Sequence, residues 1–184
     1  MSVNVTAKEF LQSDWVSQVK SILAETETDP NNINVEITET IAMADAERSS
    51  CVLADLKTMG VHISIDDFGT GYSSLSRLQA FPVDTLKIDR TFISKIDGDR
   101  ETAEIVRIII MLAHNLGMKV VAEGAETLQQ VTLLKRLNCE FVQGYFFGRP
   151  GDYAAAQALL SKQKEGASGS APEDSDKKSV GQLQ

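Results

Sequence analysis

The sequence of 184 residues predicts an α/β protein whose parallel sheet curves as in a β/α barrel. Two observations predict this class. A strand candidate followed by a helix candidate recurs six times along the chain, which is typical of parallel α/β folds. Most of the strand candidates also alternate apolar with polar residues, whereas strands covered by helices on both faces are continuous apolar runs. We therefore expect the apolar face to pack on outer helices and the polar face to point inward.

Each element follows from a local pattern. Strands are assigned from alternation with a period of two, helices from apolar residues three and four positions apart, and boundaries from turn residues such as Gly60, Pro82 and Gly117. The predicted strands cover 2–5, 33–38, 61–66, 83–89, 118–123 and 141–145. The predicted helices cover 10–25, with Trp15 in the core, 44–59, 74–80, 101–116, 127–137 and 152–162.

Composition limits the class of partner and the compartment. A net charge of −8 disfavours a nucleic-acid polymer or an anionic membrane as the main partner, because both attract basic patches. Cys51 and Cys139 lack a CxxC or zinc-ligand spacing, so both are expected to be buried, reduced thiols of a cytoplasmic protein. The most apolar run, over 105–113, is too short to span a bilayer and suits a buried helix.

An acidic turn after the third predicted strand is the most informative stretch. Asp66 and Asp67 end the strand, and their carboxylates are expected to diverge because successive strand residues point to opposite sides. Gly69 and Gly71 then permit positive φ angles and a close backbone approach to a ligand. Capping of the next helix explains the serines of this loop. It leaves the paired acids unexplained, which favours a metal or catalytic site.

Polar residues gather on the predicted inner face or at the carboxyl ends of the strands, where β/α barrels carry catalytic groups. They are Asn4, Glu36, Asp66, Lys87, Asp89, Glu123 and Gln143. Carboxylates this close would repel one another unless cations lay among them. Oxygen donors without a histidine or cysteine pattern favour Mg²⁺ or Mn²⁺, and two such ions about 3.5–4 Å apart activate water for attack on a phosphoryl group. The residues therefore predict a phosphodiester hydrolase.

Lys87 has more than one possible role near these acids, and Glu39 has one expected role. Lys87 could orient or deprotonate the water, or stabilise negative charge that develops on the phosphate. Alternatively, it is only a salt-bridge partner of Asp67 or Asp89. Glu39 lies just beyond the strand that carries Glu36, where it is expected to hold the glycine loop by hydrogen bonds.

Six ordered motifs make the sequence resemble the C-terminal part of the EAL domain, the family of cyclic di-GMP phosphodiesterases. They are VNVT (3–6), VEITE (35–39), DDFGTGYSS (66–74), LKID (86–89), VAEGAE (121–126) and QGY (143–145). The resemblance implies hydrolysis of cyclic di-GMP to linear pGpG, with Mg²⁺ or Mn²⁺ as cofactor. The metal ligands that it implies are Asn4, Glu36, Asp66, Asp67 and Glu123. It implies catalytic roles for Lys87, as candidate base, Glu123 and Glu39. Substrate or loop contacts are implied for Asp89, Gly69, Gly71, Glu126 and Gln143.

The same resemblance implies a departure at the start of the chain. EAL barrels have two further strands before the first one here, and the second carries the Glu-Ala-Leu motif with a metal-binding glutamate. The expected fold is an incomplete TIM-like β/α barrel of about six units of eight over 1–162, with a disordered tail over 163–184. One hypothesis is a phosphodiesterase completed by a homodimer or by a missing N-terminal segment in trans. The alternative is a truncated, inactive module that binds nucleotide or regulates a protein partner.

Overall fold

The computed structural model describes residues 1–71, 75–153, 157 and 181–182. Its centre is one sheet whose strands lie in chain order, and the first six are parallel to their neighbours. They are β1 (Ser2–Asn4), β2 (Asn34–Thr38), β3 (His62–Phe68), β4 (Thr85–Ile88), β5 (Lys119–Glu123) and β6 (Phe141–Gln143). Parallel strands adjacent in both sequence and space are the arrangement of a β/α barrel. The predicted fold class, an incomplete β/α barrel of six units, is confirmed.

Helices lie in the connections between these strands. They are α1 (Ala7–Phe10), α2 (Trp15–Glu25), α3 (Glu39–Ala44), α4 (Ala46–Thr58), α5 (Leu75–Ala80), α6 (Arg90–Ile93), α7 (Arg100–Asn115) and α8 (Leu128–Arg136), with a 3₁₀ turn at Pro30–Asn32. Every strand from β1 to β5 is thus followed by at least one helix before the next strand. The strand–helix repeat predicted from periodicity is present throughout this part of the chain.

Side-chain caps accompany short helices that periodicity did not predict. The helix predicted over 44–59 is preceded by the separate α3, because the side chain of Asp45 caps a new helix, α4, one residue later. The region before 10–25 likewise contains α1, which Thr6 caps, and a break separates α1 from α2. The short α6 was not predicted, and Asp89 caps it. Helices of four to six residues are too short to show periodicity.

The apolar face of the sheet forms the core with the outer helices, as predicted. Its eight predicted residues are at most 3% exposed: Val35, Ile37, Ile63, Ile65, Leu86, Ile88, Val120 and Ala122. Trp15 also lies in the core, 8% exposed, with its ring centroid 5.7 Å from that of Phe10. Packing of this face against helices leaves the opposite face of the sheet for polar residues.

Two burial predictions were wrong in part. The apolar run of α7 was expected to be buried, but Ile105, Ile108 and Met111 are 44%, 58% and 50% exposed. A helix on a sheet buries only one stripe of its surface, so side chains on its outer side stay in water. Cys139 is buried as predicted, whereas Cys51 is exposed on α4, and neither forms a disulfide.

The C-terminal predictions lie mostly outside the described residues. Of the helix predicted over 152–162, the structure describes only three residues: Asp152, and Tyr153 and Gln157, which are helical. Within the tail predicted over 163–184, it describes only Gly181–Gln182, which form a short strand, β7, antiparallel to β6. Among the helices described, none has the length and apolar character needed to cross a membrane.

Candidate active site

Lys87 lies at the centre of the inward-facing polar residues. Its Nζ is 2.6 Å from Glu36 Oε2, 2.7 Å from Glu123 Oε1 and 3.1 Å from Asp66 Oδ1. These residues come from β4, β2, β5 and β3, whose parallel pairing brings their carboxyl ends to one end of the sheet. Within the described residues, the ion-pair partners of Lys87 are therefore these three acids and not Asp67 or Asp89.

The carboxylates keep Lys87 positively charged. Burial alone would lower the pKa of its ammonium group, because the charged form loses hydration. Hydrogen bonds to Glu123 and Glu36 and the charges of Glu123 and Asp66 outweigh that effect, so the pKa of Lys87 is raised above its usual value. Lys87 therefore acts as the counter-ion of the buried acids.

Asp67 joins the acidic group through an unusual backbone conformation. Asp66, Asp67 and Glu123 each offer a carboxylate oxygen, and these oxygens lie within 4.8 Å of one another. The two aspartates were expected to diverge, but Asp67 has φ +52° at a point where the pairing of β3 with β4 shifts register. A positive φ is rare for a residue with a Cβ and is often found at functional sites. The expected divergence was wrong because Asp67 does not keep the strand conformation.

Burial and neighbouring carboxylates raise the pKa values of two of the acids. The pKa of Asp67 is raised by burial first and then by the charges of Asp66 and Asp89. Burial also raises the pKa of Glu123, and its hydrogen bond to Lys87 offsets part of that shift. Burial is the largest cause of both shifts, and the charges of neighbouring carboxylates add to it.

Glu39 fastens the loop that follows Asp67. It is 2% exposed, and its Oε2 accepts a hydrogen bond of 2.9 Å from the backbone N–H of Gly69. Its Oε1 is buried and has no hydrogen-bond partner within the described residues. Gly69 has φ +96°, and a Cβ on Gly71 would lie 2.9 Å from Glu39 Oε1, so both glycines permit a close approach. The structure therefore places Glu39 in contact with the loop, as expected.

A cavity of about 530 Å³ opens beside the acids and contains the remaining predicted contact residues. Its lining is formed by Asp67, Asp89, Arg90, Thr91, Ser94, Glu123, Gly124, Glu126, Gln143, Gly144 and Tyr145. Asp89 also accepts hydrogen bonds from the N–H and hydroxyl groups of Thr91. Burial would raise the pKa of Asp89, but these hydrogen bonds lower it overall. Six of the lining residues were not predicted, since they lie in loops and in α6, where alternation gives no signal.

Asn4 is the predicted ligand at the edge of the sheet. It ends β1 and lies opposite Glu36 in the parallel register, and Val5 N–H donates to the carbonyl oxygen of Glu36 at 2.9 Å. This pairing places Asn4 on the strand next to Glu36. Asn4 is exposed to solvent because β1 is the first strand of the sheet.

Two inner-face residues that were not predicted, Asn34 and Ser64, form a chain of hydrogen bonds that ends on Glu36. Asn34 Nδ2 donates to Glu36 Oε1 at 3.1 Å, and Ser64 Oγ donates to Asn34 Oδ1 at 2.9 Å. Asn34 precedes Glu36 by two positions, and Ser64 precedes Asp66 by two. The period of two that identified the acids could therefore have identified these residues.

The donor set fits a hard divalent cation. Its charged donors are carboxylate oxygens, which Mg²⁺ and Mn²⁺ prefer, and the four carboxylates of Glu36, Asp66, Asp67 and Glu123 outnumber the one lysine among them. Three donors with oxygens within 4.8 Å of one another can contact the same ion. The site can thus bind divalent cations next to a cavity that is large enough for a small molecule.

Comparisons with known proteins identify one family. The model of the EAL domain matches residues 1–150. The bifunctional diguanylate cyclase/cyclic di-GMP phosphodiesterase MucR of Pseudomonas aeruginosa is 45% identical over 161 residues, which are 88% of this chain and 23% of MucR. Cyclic di-GMP phosphodiesterase NbdA of the same organism is 41% identical over 160 residues, 87% of this chain and 20% of NbdA. The chain thus spans less than a quarter of the length of these relatives.

Solved structures have the same fold. The PaMucR phosphodiesterase in complex with c-di-GMP is similar with a TM-score of 0.81 and 43% identity, over 84% of this chain and 63% of that one. The manganese/cy-diGMP complex of BlrP1 from Klebsiella pneumoniae has a TM-score of 0.74 and 31% identity, over 81% of this chain and 38% of that one. A calcium/cy-diGMP complex of BlrP1 has the same similarity. Similar chains therefore bind cyclic di-GMP, and one of them, BlrP1, was solved in two complexes named with a metal.

Proposed function

We propose, because this chain belongs to the EAL domain family, that it hydrolyses cyclic di-GMP to linear pGpG with Mg²⁺ or Mn²⁺. The observation that carries the proposal is the convergence of Glu36, Asp66 and Glu123 on Lys87, with Asp67 beside them. The similar proteins MucR and NbdA both carry cyclic di-GMP phosphodiesterase in their names, and the PaMucR phosphodiesterase was solved with c-di-GMP.

Asn4, Glu36, Asp66, Asp67 and Glu123 would hold the cations. Divalent ions bound there would lower the pKa of a water molecule and offset charge on a phosphoryl oxygen. The side chains of the site would orient the substrate around these ions. The adjacent cavity, which Asp89, Glu126 and Gln143 help to line, would hold the rest of the dinucleotide.

Lys87 would act as a cation in this reaction. Because the surrounding acids raise the pKa of this lysine above its already basic usual value, Lys87 keeps its proton near neutral pH and is a poor acceptor for a proton from water. Of the roles predicted for Lys87, its charge favours orientation of the water and stabilisation of negative charge on the phosphate over proton removal. Glu39 would support the reaction indirectly, by holding the loop after Asp67 through Gly69.

The inactive-module alternative has less support. A chain that only paired with partners would not need four acids and a lysine gathered at one end of the sheet, because such a cluster is costly to bury. Its relatives are named as phosphodiesterases. The exposed first strand, β1, could still pair with a segment supplied in trans, since its outer edge has no neighbouring strand within the described residues.

We also propose that a second copy of this chain is a partner, in a homodimer. The exposed residues Ile105, Ile108 and Met111 form a stripe along the outer side of α7. Two α7 helices that cross antiparallel at Ile108 would place Ile105 of each against Met111 of the other. Such a self-complementary contact suits a two-fold dimer and removes the stripe from water.

A cytoplasmic location stays a prediction from the sequence.

Incubation of the purified chain with cyclic di-GMP and Mn²⁺, followed by chromatography for pGpG, tests the activity. We expect product that EDTA prevents and that Asp66→Ala abolishes, because the variant lacks a carboxylate of the cluster. Asp55→Ala is the matched control, since Asp55 is exposed on α4. Full turnover by Asp66→Ala, or product in EDTA, would refute the assignment. No product from a folded wild-type chain would instead favour the inactive module.

A further inference from the structure

Glu36 is held by two hydrogen bonds of different kinds. Its Oε2 contacts the Lys87 ammonium at 2.6 Å, and its Oε1 accepts from Asn34 Nδ2 at 3.1 Å. Lys87 contacts three acids, so its contact with Glu36 would change if a cation bound to any of those acids. The bond from Asn34 does not depend on that charge.

The orientation of the Asn34 amide follows from its neighbours. Ser64 Oγ donates to Asn34 Oδ1 at 2.9 Å, which leaves the amide nitrogen to face Glu36 Oε1. With the amide turned over, two acceptor oxygens would oppose each other, because a carboxylate cannot donate. Ser64 is 2% exposed, so bulk water does not compete for its hydroxyl group. Glu36, which only accepts, therefore fixes which end of the amide faces it, and the Ser64 hydroxyl group, which can donate or accept, holds the amide oxygen in place.

This arrangement decides which oxygen of Glu36 is turned toward the other acids. Oε2, Asp66 Oδ1 and Glu123 Oε1 all lie within 3.1 Å of the same Lys87 atom, whereas Oε1 is tied to the amide. A carboxylate with one oxygen held rotates less, and less entropy is lost when its other oxygen binds a cation.

We propose that Asn34, fixed by Ser64, is a positioning residue that presents Glu36 Oε2 for cation binding. The proposal rests on the proposed function, since Glu36 is a metal ligand only there. The sheet register supports it: Ser64 lies directly opposite Glu36 on β3, and Asn34 precedes Glu36 on the same face of β2. Both residues thus belong to the layer of side chains next to the acids on the amino-terminal side.

Binding of Mn²⁺ to the full chain, measured by calorimetry or electron paramagnetic resonance, tests this without turnover. We expect Asn34→Leu, which has similar volume and no amide, to weaken Mn²⁺ binding by about 10- to 100-fold. Ser64→Ala should weaken it less, because the amide remains but its oxygen loses the hydrogen bond that holds it, and Ser64→Thr should restore affinity by returning a hydroxyl group. Ser2→Ala is the matched control: it removes the other acceptor of Asn34 Nδ2, 3.1 Å away, without touching Glu36.

The outcomes separate the two proposals. A wild-type chain that binds no Mn²⁺ would refute the metal site itself. Wild-type affinity in both Asn34→Leu and Ser64→Ala would refute the positioning role while the metal site stands. Circular dichroism in EDTA checks folding, and if Asn34→Leu does not fold, Ser64→Ala alone decides: unchanged affinity refutes the proposal. A purely structural role would shift thermal unfolding in EDTA and leave Mn²⁺ affinity unchanged, which would also refute it.

Discussion

Gly144 occupies the tightest backbone contact found near the site. It follows β6, and a Cβ built on it would lie 2.1 Å from the carbonyl oxygen and 2.4 Å from the nitrogen of Ala125, in the turn after β5. That turn is held by two backbone bonds, from Ala125 N–H to the Gln143 oxygen at 3.1 Å and from Phe146 N–H to the Ala125 oxygen at 3.0 Å. Replacement by alanine would therefore push apart two backbone segments that line the cavity.

The expected cost of Gly144→Ala follows from these contacts. Relief of the overlap needs a separation of about 1 Å, which would weaken or break both hydrogen bonds, each contributing about 0.5–1.5 kcal/mol. Overpacking adds about 1–3 kcal/mol. We expect a loss of about 2–6 kcal/mol in the free energy of unfolding, and in a chain of this size each kcal/mol lowers the melting temperature by about 2–4 °C.

Urea denaturation followed by circular dichroism measures this loss, with Gly148→Ala as the matched control. A Cβ on Gly148 meets nothing within 4 Å, so that variant should stay within about 0.5 kcal/mol of the wild type. Because Gln143 moves with the turn, Gly144→Ala should also reduce turnover. A Gly144→Ala chain as stable as Gly148→Ala would show that the turn moves aside freely, and the argument from close contact would fail.

Two further predictions concern the cysteines and the outer side of α7. Iodoacetamide should alkylate exposed Cys51 and spare Cys139, which is 1% exposed and whose pKa burial raises to about 12; peptide mass mapping that finds equal labelling of the native chain would contradict this. Ile108→Glu should convert a dimeric chain to monomer in light scattering, because it buries a charge at the centre of the contact, while Asn115→Glu at the exposed end of the helix should not. A wild-type monomer, or an Ile108→Glu dimer, would refute the proposed contact.

The strands were predictable because alternation records which face of the sheet is buried. Ile63 and Ile65 pack on helices, while Ser64 and Asp66 face inward, and a shift by one residue would reverse both faces. The breaks between helices were not predictable from the same signal. The cap at Asp45 depends on a single side chain, and periodicity over a long window averages across it.

The site was predictable only as far as residues keep the strand conformation. Glu36, Asp66, Lys87 and Glu123 follow the alternation and were placed together. Asp67 departs from it, since its positive φ and the register shift beside it turn the carboxylate toward Asp66. A sequence pattern of period two contains no information on such a local change of backbone.

The ion pairs of Lys87 show why sequence proximity is a poor guide inside a parallel sheet. Asp89 lies two positions further along the chain, directly after the end of β4, yet its carboxylate accepts hydrogen bonds from Thr91 as the cap of α6. The partners come instead from other strands, Asp66 on the neighbouring β3 and Glu123 on the neighbouring β5. Side chains from neighbouring parallel strands meet at the same end of the sheet. Asp89, which follows β4 directly, instead caps the next helix. Lys87 is therefore shared by acids from three strands, and its charge balances the whole group rather than one aspartate.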